Sequence, residues 1–206
     1  MLKKYIFLII AASLFLSLSS GVTYYNVKYV YDGDTILLNK GARVRYLGID
    51  TPEIDHEGGK NEFMASAARK FNSKLVKGAR VSLEFDKEKK DRYGRLLAYT
   101  FLENGDMVNA LLVRNGFAHV MFNRLNLKYK ELLLKCQQRA IEERLGIWSR
   151  PFNGEESFYL GDKRSFRFHR PDCPFGKRIS KKNLLRFRSL HDAFWAGYSP
   201  CKRCRP

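Results

Sequence analysis

The stretch Val44-Arg-Tyr-Leu-Gly-Ile-Asp-Thr-Pro-Glu53 passes from a short strand into a loop. Arg43–Ile49 is rich in the β-branched and aromatic residues that strands favour. Runs of the same character lie on both sides, at Tyr24–Tyr31, Thr35–Leu38, Val81–Phe85 and Leu96–Leu102. Breaks fall at the turn-forming pairs Asp32-Gly33, Lys40-Gly41 and Lys77-Gly78, and Asn104-Gly105 is a turn after the last run. Residues Glu62–Val76 (EFMASAARKFNSKLV) break the alternation with helical spacing, which puts Phe63, Ala67, Phe71 and Leu75 on one face. Met107–Arg114 reads as a short helix stopped by Asn115-Gly116, and Leu127–Arg144 as a longer amphipathic one. Gly146-Ile-Trp148 closes the unit. Short strands, tight hairpins and an inserted helix predict an α+β fold: a small closed five-stranded β-barrel with about three helices.

Charged residues fall in or beside those strands in an unusual set. Tyr31-Asp-Gly-Asp-Thr35 precedes the opening stretch and Asp91-Arg-Tyr-Gly-Arg95 follows it. Together they supply three carboxylates (Asp34, Asp50, Glu53) and two arginines (Arg45, Arg95). A hard divalent cation takes oxygen ligands, a water nucleophile needs a carboxylate base, and a phosphorane needs guanidinium forks. Each residue alone has a bland reading. Arg45 would be a cross-strand partner of Asp50, Arg95 a turn exit, and Pro52-Glu53 the start of a loop. The bland account needs five coincidences at once, so the set favours phosphodiester chemistry.

On these residues the chain resembles the staphylococcal nuclease (thermonuclease) family over roughly residues 22–148. The resemblance is carried by four motifs in order: Asp-Gly-Asp-Thr, Arg-x4-Asp-Thr-Pro-Glu, Asp-x-Tyr-Gly-Arg-x-Leu-Ala-Tyr and Val-Asn-x3-Val-x-x-Gly-x-Ala. It implies an OB-fold barrel, in agreement with the strand reading. It further implies one calcium ion held by Asp34, Asp50 and the carbonyl of Thr51, with Asp32 as a nearby acid. Glu53 takes the place of the proposed general base, and Arg45 and Arg95 those of the phosphate-binding guanidiniums. The implied reaction is cleavage of both DNA and RNA. Two late tyrosines that hold nucleotide in the type member are replaced here by Phe122 and Arg124, expected to stack on a base and to meet a phosphate. Tyr93 is kept beside Arg95. A barrel that binds nucleic acid or docks protein without cleaving would lack several of these acids and arginines, and this chain keeps them all.

The chain has 206 residues, room for one ordinary domain and a small appendage, and at 45% hydrophobic it can bury a core. A net charge of +17 points to a polyanionic partner, nucleic acid or an anionic membrane surface. Residues 1–21 read as an export signal: Lys3 and Lys4, the apolar run Tyr5–Leu18, then Ser19, Ser20 and Gly21. That run is short for a membrane span of roughly 20 residues, but the site is not a clean Ala-x-Ala, so an uncleaved anchor stays open. The expected protein is exported, periplasmic or secreted, and monomeric, with membrane contact only if the segment is retained.

Residues 149–163 read as a linker, and 164–206 as a separate basic module. Residues 151–206 hold 13 lysines and arginines against five acids. His169-x3-Cys173 and Cys201-x2-Cys204 are two chelating pairs suited to tetrahedral zinc. The alternative, a Cys201–Cys204 disulfide, leaves Cys173 odd and His169 unexplained. Cys136, in the long helix, reads as a buried structural thiol, His119 as an ordinary strand-end residue, and His56 and His191 as surface residues. The text Phe168-His-Arg-Pro-Asp-Cys173 and Ala196-Gly-Tyr-Ser-Pro-Cys-Lys-Arg-Cys-Arg-Pro206 resembles the metal-binding domain of the Ada DNA-repair protein. That domain uses a methyl-accepting cysteine where this chain has His169, so the resemblance implies a structural zinc module without methyl transfer.

Overall fold

The computed structural model describes residues 21–206 apart from 56, 153 and 155. The expected export segment, except Gly21, and His56 lie outside the described residues. Among the described residues no helix is long and apolar enough to cross a membrane.

Five strands close the barrel in the order β1-β2-β3-β6-β5: β1 Tyr24–Val30, β2 Thr35–Leu38, β3 Arg43–Tyr46, β5 Arg80–Glu84 and β6 Leu96–Leu102. All pairs are antiparallel except β3 with β6, where Arg45 lies opposite Leu97. The alternation predicted from sequence puts Ile36, Leu38, Val44, Tyr46, Val81 and Ala98 into the core. The expected strand Arg43–Ile49 is broken in two. Gly48 takes φ +77°, a left-handed conformation suited to glycine, and the chain turns before β4, Ile49–Asp50. This two-residue strand pairs with β7, His119–Val120, and sets Asp50 directly opposite His119.

Helices α1 (Ala65–Val76), α2 (Val108–Arg114) and α3 (Lys130–Glu142) pack against the barrel. Met64 adopts φ 69°, so α1 starts three residues after the expected Glu62. Its inward face is Ala65, Ala68, Asn72 and Val76; Phe71 and Leu75 flank it, and Phe63 lies outside under the Arg150 guanidinium at 3.5 Å. Asn72 is the reason for the corrected face. It accepts from the Tyr46 hydroxyl (3.0 Å) and donates to the Asp32 carbonyl (3.3 Å), tying helix to barrel and to the Asp32–Asp34 loop.

The tail forms a four-stranded sheet of order β10-β8-β9-β11: β8 Tyr159–Asp162, β9 Arg167–His169, β10 Leu184–Phe187 and β11 Ser199–Pro200. Helices α4 (Pro174–Lys177) and α5 (Leu190–Trp195) complete it, the latter capped by Ser189, whose hydroxyl accepts from the Asp192 N–H. The expected linker 149–163 is corrected here, because Tyr159–Asp162 is a central strand with Tyr159 buried.

The tail is also no detached appendage. Gln137 of α3 is fully buried; its side-chain oxygen accepts from the Val120 N–H (2.7 Å) and its amide donates to the Phe194 carbonyl (2.5 Å). Gln138 donates to the Trp195 carbonyl (3.1 Å), and Trp148 meets Phe194 edge-on at 5.0 Å. Gly197, at φ +80°, comes so close that a Cβ would sit 3.1 Å from Leu134 and 3.2 Å from Phe122. Cys136 is partly buried against the barrel core and pushed up from the ordinary thiol range by that burial.

Candidate active site

The Asp32–Asp34 loop starts the site. Asp32 Oδ1 accepts from the Asp34 N–H (2.9 Å), a local turn that aspartate favours. Gly33 lies under Thr51, where any Cβ would come within 2.7 Å of its side chain. This contact allows Thr51 to donate to Asp34 Oδ2 twice, from N–H (2.8 Å) and hydroxyl (3.0 Å). Arg45, 10% exposed, projects from β3 between two acids: its guanidinium pairs with Asp34 Oδ2 and with Asp50 Oδ1, the latter at 2.5 Å. Asp34, Arg45, Asp50 and Thr51 therefore meet as expected.

Asp32 adds a third negative charge near this buried guanidinium. Burial, opposed by Arg45 but reinforced by Asp32 and Asp50, pushes Asp34 up to about 7. Burial also works to raise Asp50, but His119, Arg45 and Lys202 hold it below the usual carboxylate range. A buried carboxylate so short of positive charge fits a hard divalent cation. Asp34, Asp50 and the Thr51 carbonyl are the oxygen donors that would hold it.

Glu53 is 63% exposed at the side chain and lines, with Asp50 and Thr51, a cavity of about 580 Å³. Arg95 is placed differently. Its Nε donates to Asp91 Oδ2 (2.7 Å) and its guanidinium lies 5.5 Å from the Tyr93 ring centroid, on the turn that enters β6. It is not drawn into the Asp34–Arg45–Asp50 cluster. Tyr93, 68% exposed, and Arg124, also exposed, are open to a ligand. Phe122 is not. It is 2% exposed, edge-on to Phe166 at 6.1 Å between barrel and tail, so the expected stacking on a base is corrected to core packing.

Sequence reasoning missed three residues of this site. His119, read as an ordinary strand-end residue, faces Asp50 Oδ2 at 3.8 Å, while its Nδ1 lies 3.0 Å from the Val120 carbonyl. Burial, partly opposed by Asp50, holds its pKa below the usual imidazole range. Lys202 and Arg167 come from the tail. Lys202 Nζ is 3.6 Å from both Asp50 Oδ2 and Glu53 Oε1, and Arg167 donates to Ser199 Oγ (2.7 Å) while helping to hold Asp50 ionised. The β4–β7 pairing and the tail's docking bring them in, and neither leaves a mark in local text.

The second cluster is the expected one. Ligand atoms of His169, Cys173, Cys201 and Cys204 lie within 4.8 Å of one another. Parallel pairing of β9 with β11 (Pro200 opposite Phe168) lays His169 beside Cys201, and the Arg170 N–H points at Cys204 Sγ (3.4 Å). All four described cysteines are free thiols. Three thiols and an imidazole at this spacing are a soft tetrahedral donor set able to bind a metal ion.

A family model described as staphylococcal nuclease homologue matches residues 43–150, and one for the metal binding domain of Ada matches residues 147–206. The chain belongs to the staphylococcal nuclease homologue family, with an Ada-type metal-binding domain behind the barrel. It is 41% identical over 129 residues to the thermonuclease of Staphylococcus intermedius, spanning 61% of this chain and 76% of that protein. The thermonuclease of Staphylococcus hyicus is 38% identical over 128 residues, 61% of this chain and 75% of its own length. Endonuclease YncB of Bacillus subtilis (strain 168) is 38% identical over 135 residues, 60% of this chain and 64% of its own.

Proposed function

We propose that this chain is a calcium-dependent nuclease that hydrolyses phosphodiester bonds of DNA and RNA with little sequence specificity. Its membership of a nuclease family and its similarity to thermonucleases establish the broader class, a nuclease hydrolase acting on nucleic acid. The observation that carries the finer reading is the buried meeting of Asp34 and Asp50 on one guanidinium, with Thr51 donating to Asp34 and Asp34 lacking enough positive charge around it.

Bound calcium would supply the positive charge that orients phosphate and water. Glu53, exposed at the cavity mouth, accepts the proton of the attacking water. Asp34 and Asp50 would hold the cation, and the Arg45 fork would be available to the phosphate oxygens. Arg95 exchanges Asp91 for the same phosphate. Tyr93 and Arg124 are exposed beside the path of the strand. In the tail, the Cys3His cluster holds zinc as a structural ion. Residues 1–21 direct the protein out of the cytoplasm, where it acts as a monomer.

Incubation of purified protein with DNA and RNA oligonucleotides, calcium present or withdrawn, tests this reading. Both polymers should be shortened only with calcium. Persistence of either polymer under those conditions would overturn it.

A further inference from the structure

We propose that Lys202, supplied by the metal-binding tail, is a substrate-phosphate-binding residue of the nuclease site. This deepens the proposed function and rests on it. The cavity beside Asp50 has two unlike walls. The barrel wall is acidic (Asp50, Glu53, Glu62), and the tail wall carries Lys202 and Arg205. The Lys202 ammonium lies 3.6 Å from the carboxylate assigned to calcium and 3.6 Å from the one assigned to the water proton.

Lys202 is not placed there by its own flexible stem alone. It is the residue after Cys201 in the turn that carries Cys201 and Cys204 into the Cys3His cluster. The Cys201 N–H donates to the Phe168 carbonyl and the Arg205 N–H to the Cys201 carbonyl, both at 2.9 Å. Its side chain remains 66% exposed, so its ion pairs are weak and exchangeable. A divalent cation and an activated water would occupy both of its present partners. The ammonium then faces an anion held between the acidic wall and its own, and a phosphodiester is that anion. Arg205 lines the same wall and is available to a neighbouring phosphate.

The test uses the full chain with calcium and zinc present, in a Glu53→Gln background that slows cleavage by about 10²-fold or more. Binding of a fluorescein-labelled oligothymidylate is followed by anisotropy as salt is raised. Lys202→Met should weaken binding about tenfold at low salt and reduce the slope of log affinity against log salt by about 0.7, one phosphate contact on a single strand. Lys202→Arg should restore most of both. With Glu53 intact, Lys202→Met should raise KM about tenfold and change kcat by less than about threefold. Unchanged affinity and slope would overturn the proposal. Tighter binding would overturn it too, because it would mark Lys202 as a plug. Should the wild-type chain cleave nothing, the nuclease reading fails while the anisotropy comparison still decides the role of Lys202.

Discussion

Glu53 and Arg45 line one site at opposite extremes of burial, and the difference separates chemistry from stability. Glu53 is largely exposed, so Glu53→Gln should lower the cleavage rate by about 10²-fold or more while shifting stability by no more than about 0.5 kcal/mol. Comparing initial rates and melting curves of the two proteins checks both. Arg45 is buried between two acids, and Arg45→Met strips both of their shared guanidinium, at a cost of about 3–5 kcal/mol read by denaturant unfolding. Asp34 is shifted in the sense that burial dictates, opposite to the shift of Asp50. Its folded pKa, about 7, lies above the ordinary aspartate value of 3.8. Its contribution to stability is therefore fully present below about pH 4 and is lost as the pH rises to 7. In calcium-free buffer, Asp34→Asn should gain stability relative to wild type between pH 4.5 and 7.5, by thermal unfolding. A constant difference would refute the burial argument. The convergence of Asp34, Arg45, Asp50 and Thr51 is legible in sequence because it follows from residue type and motif order. The place of Phe122 is not, since the same aromatic serves a base or a core and only the docked tail decides.

The elements that matter most to the site are among the shortest. The two-residue β4–β7 pair fixes Asp50 against His119, and no pattern of period two is visible in so brief a ladder. The barrel strands were evident because alternation over four to seven residues is a strong signal, whereas the α1 face was misjudged by one position. A buried Asn72, held by Tyr46 and Asp32, overrides the apolar stripe there. Gln137 does similar work between α3, β7 and α5. Replacing it with leucine should cost about 2–3 kcal/mol, because the Val120 N–H and the Phe194 carbonyl both lose their side-chain partner. Denaturant unfolding measures this; a loss below about 0.5 kcal/mol would show that the bridge contributes little.

The sequence suggests a barrel, a linker and a separate tail, but the tail packs against the barrel. Trp148, Phe122 and Gln137 are buried by contact with Phe194, Phe166 and Gly197, and a propensity reading of either half contains no sign of the other. Removal of residues 155–206 would uncover apolar surface and delete Lys202. Calorimetry of the whole chain should show a single transition, moved to lower temperature when the Cys3His cluster is stripped of metal. Two well-separated transitions would show that barrel and tail unfold independently.

All of this depends on one centre in which Asp34, Arg45, Asp50, Thr51 and Glu53 surround a cation and a phosphate. Nicking of supercoiled plasmid by the purified chain tests that most directly, with calcium supplied or withheld and zinc kept constant. The account predicts nicking that requires calcium and disappears in Glu53→Gln. Equal nicking without calcium, or undiminished nicking by the variant, would contradict it.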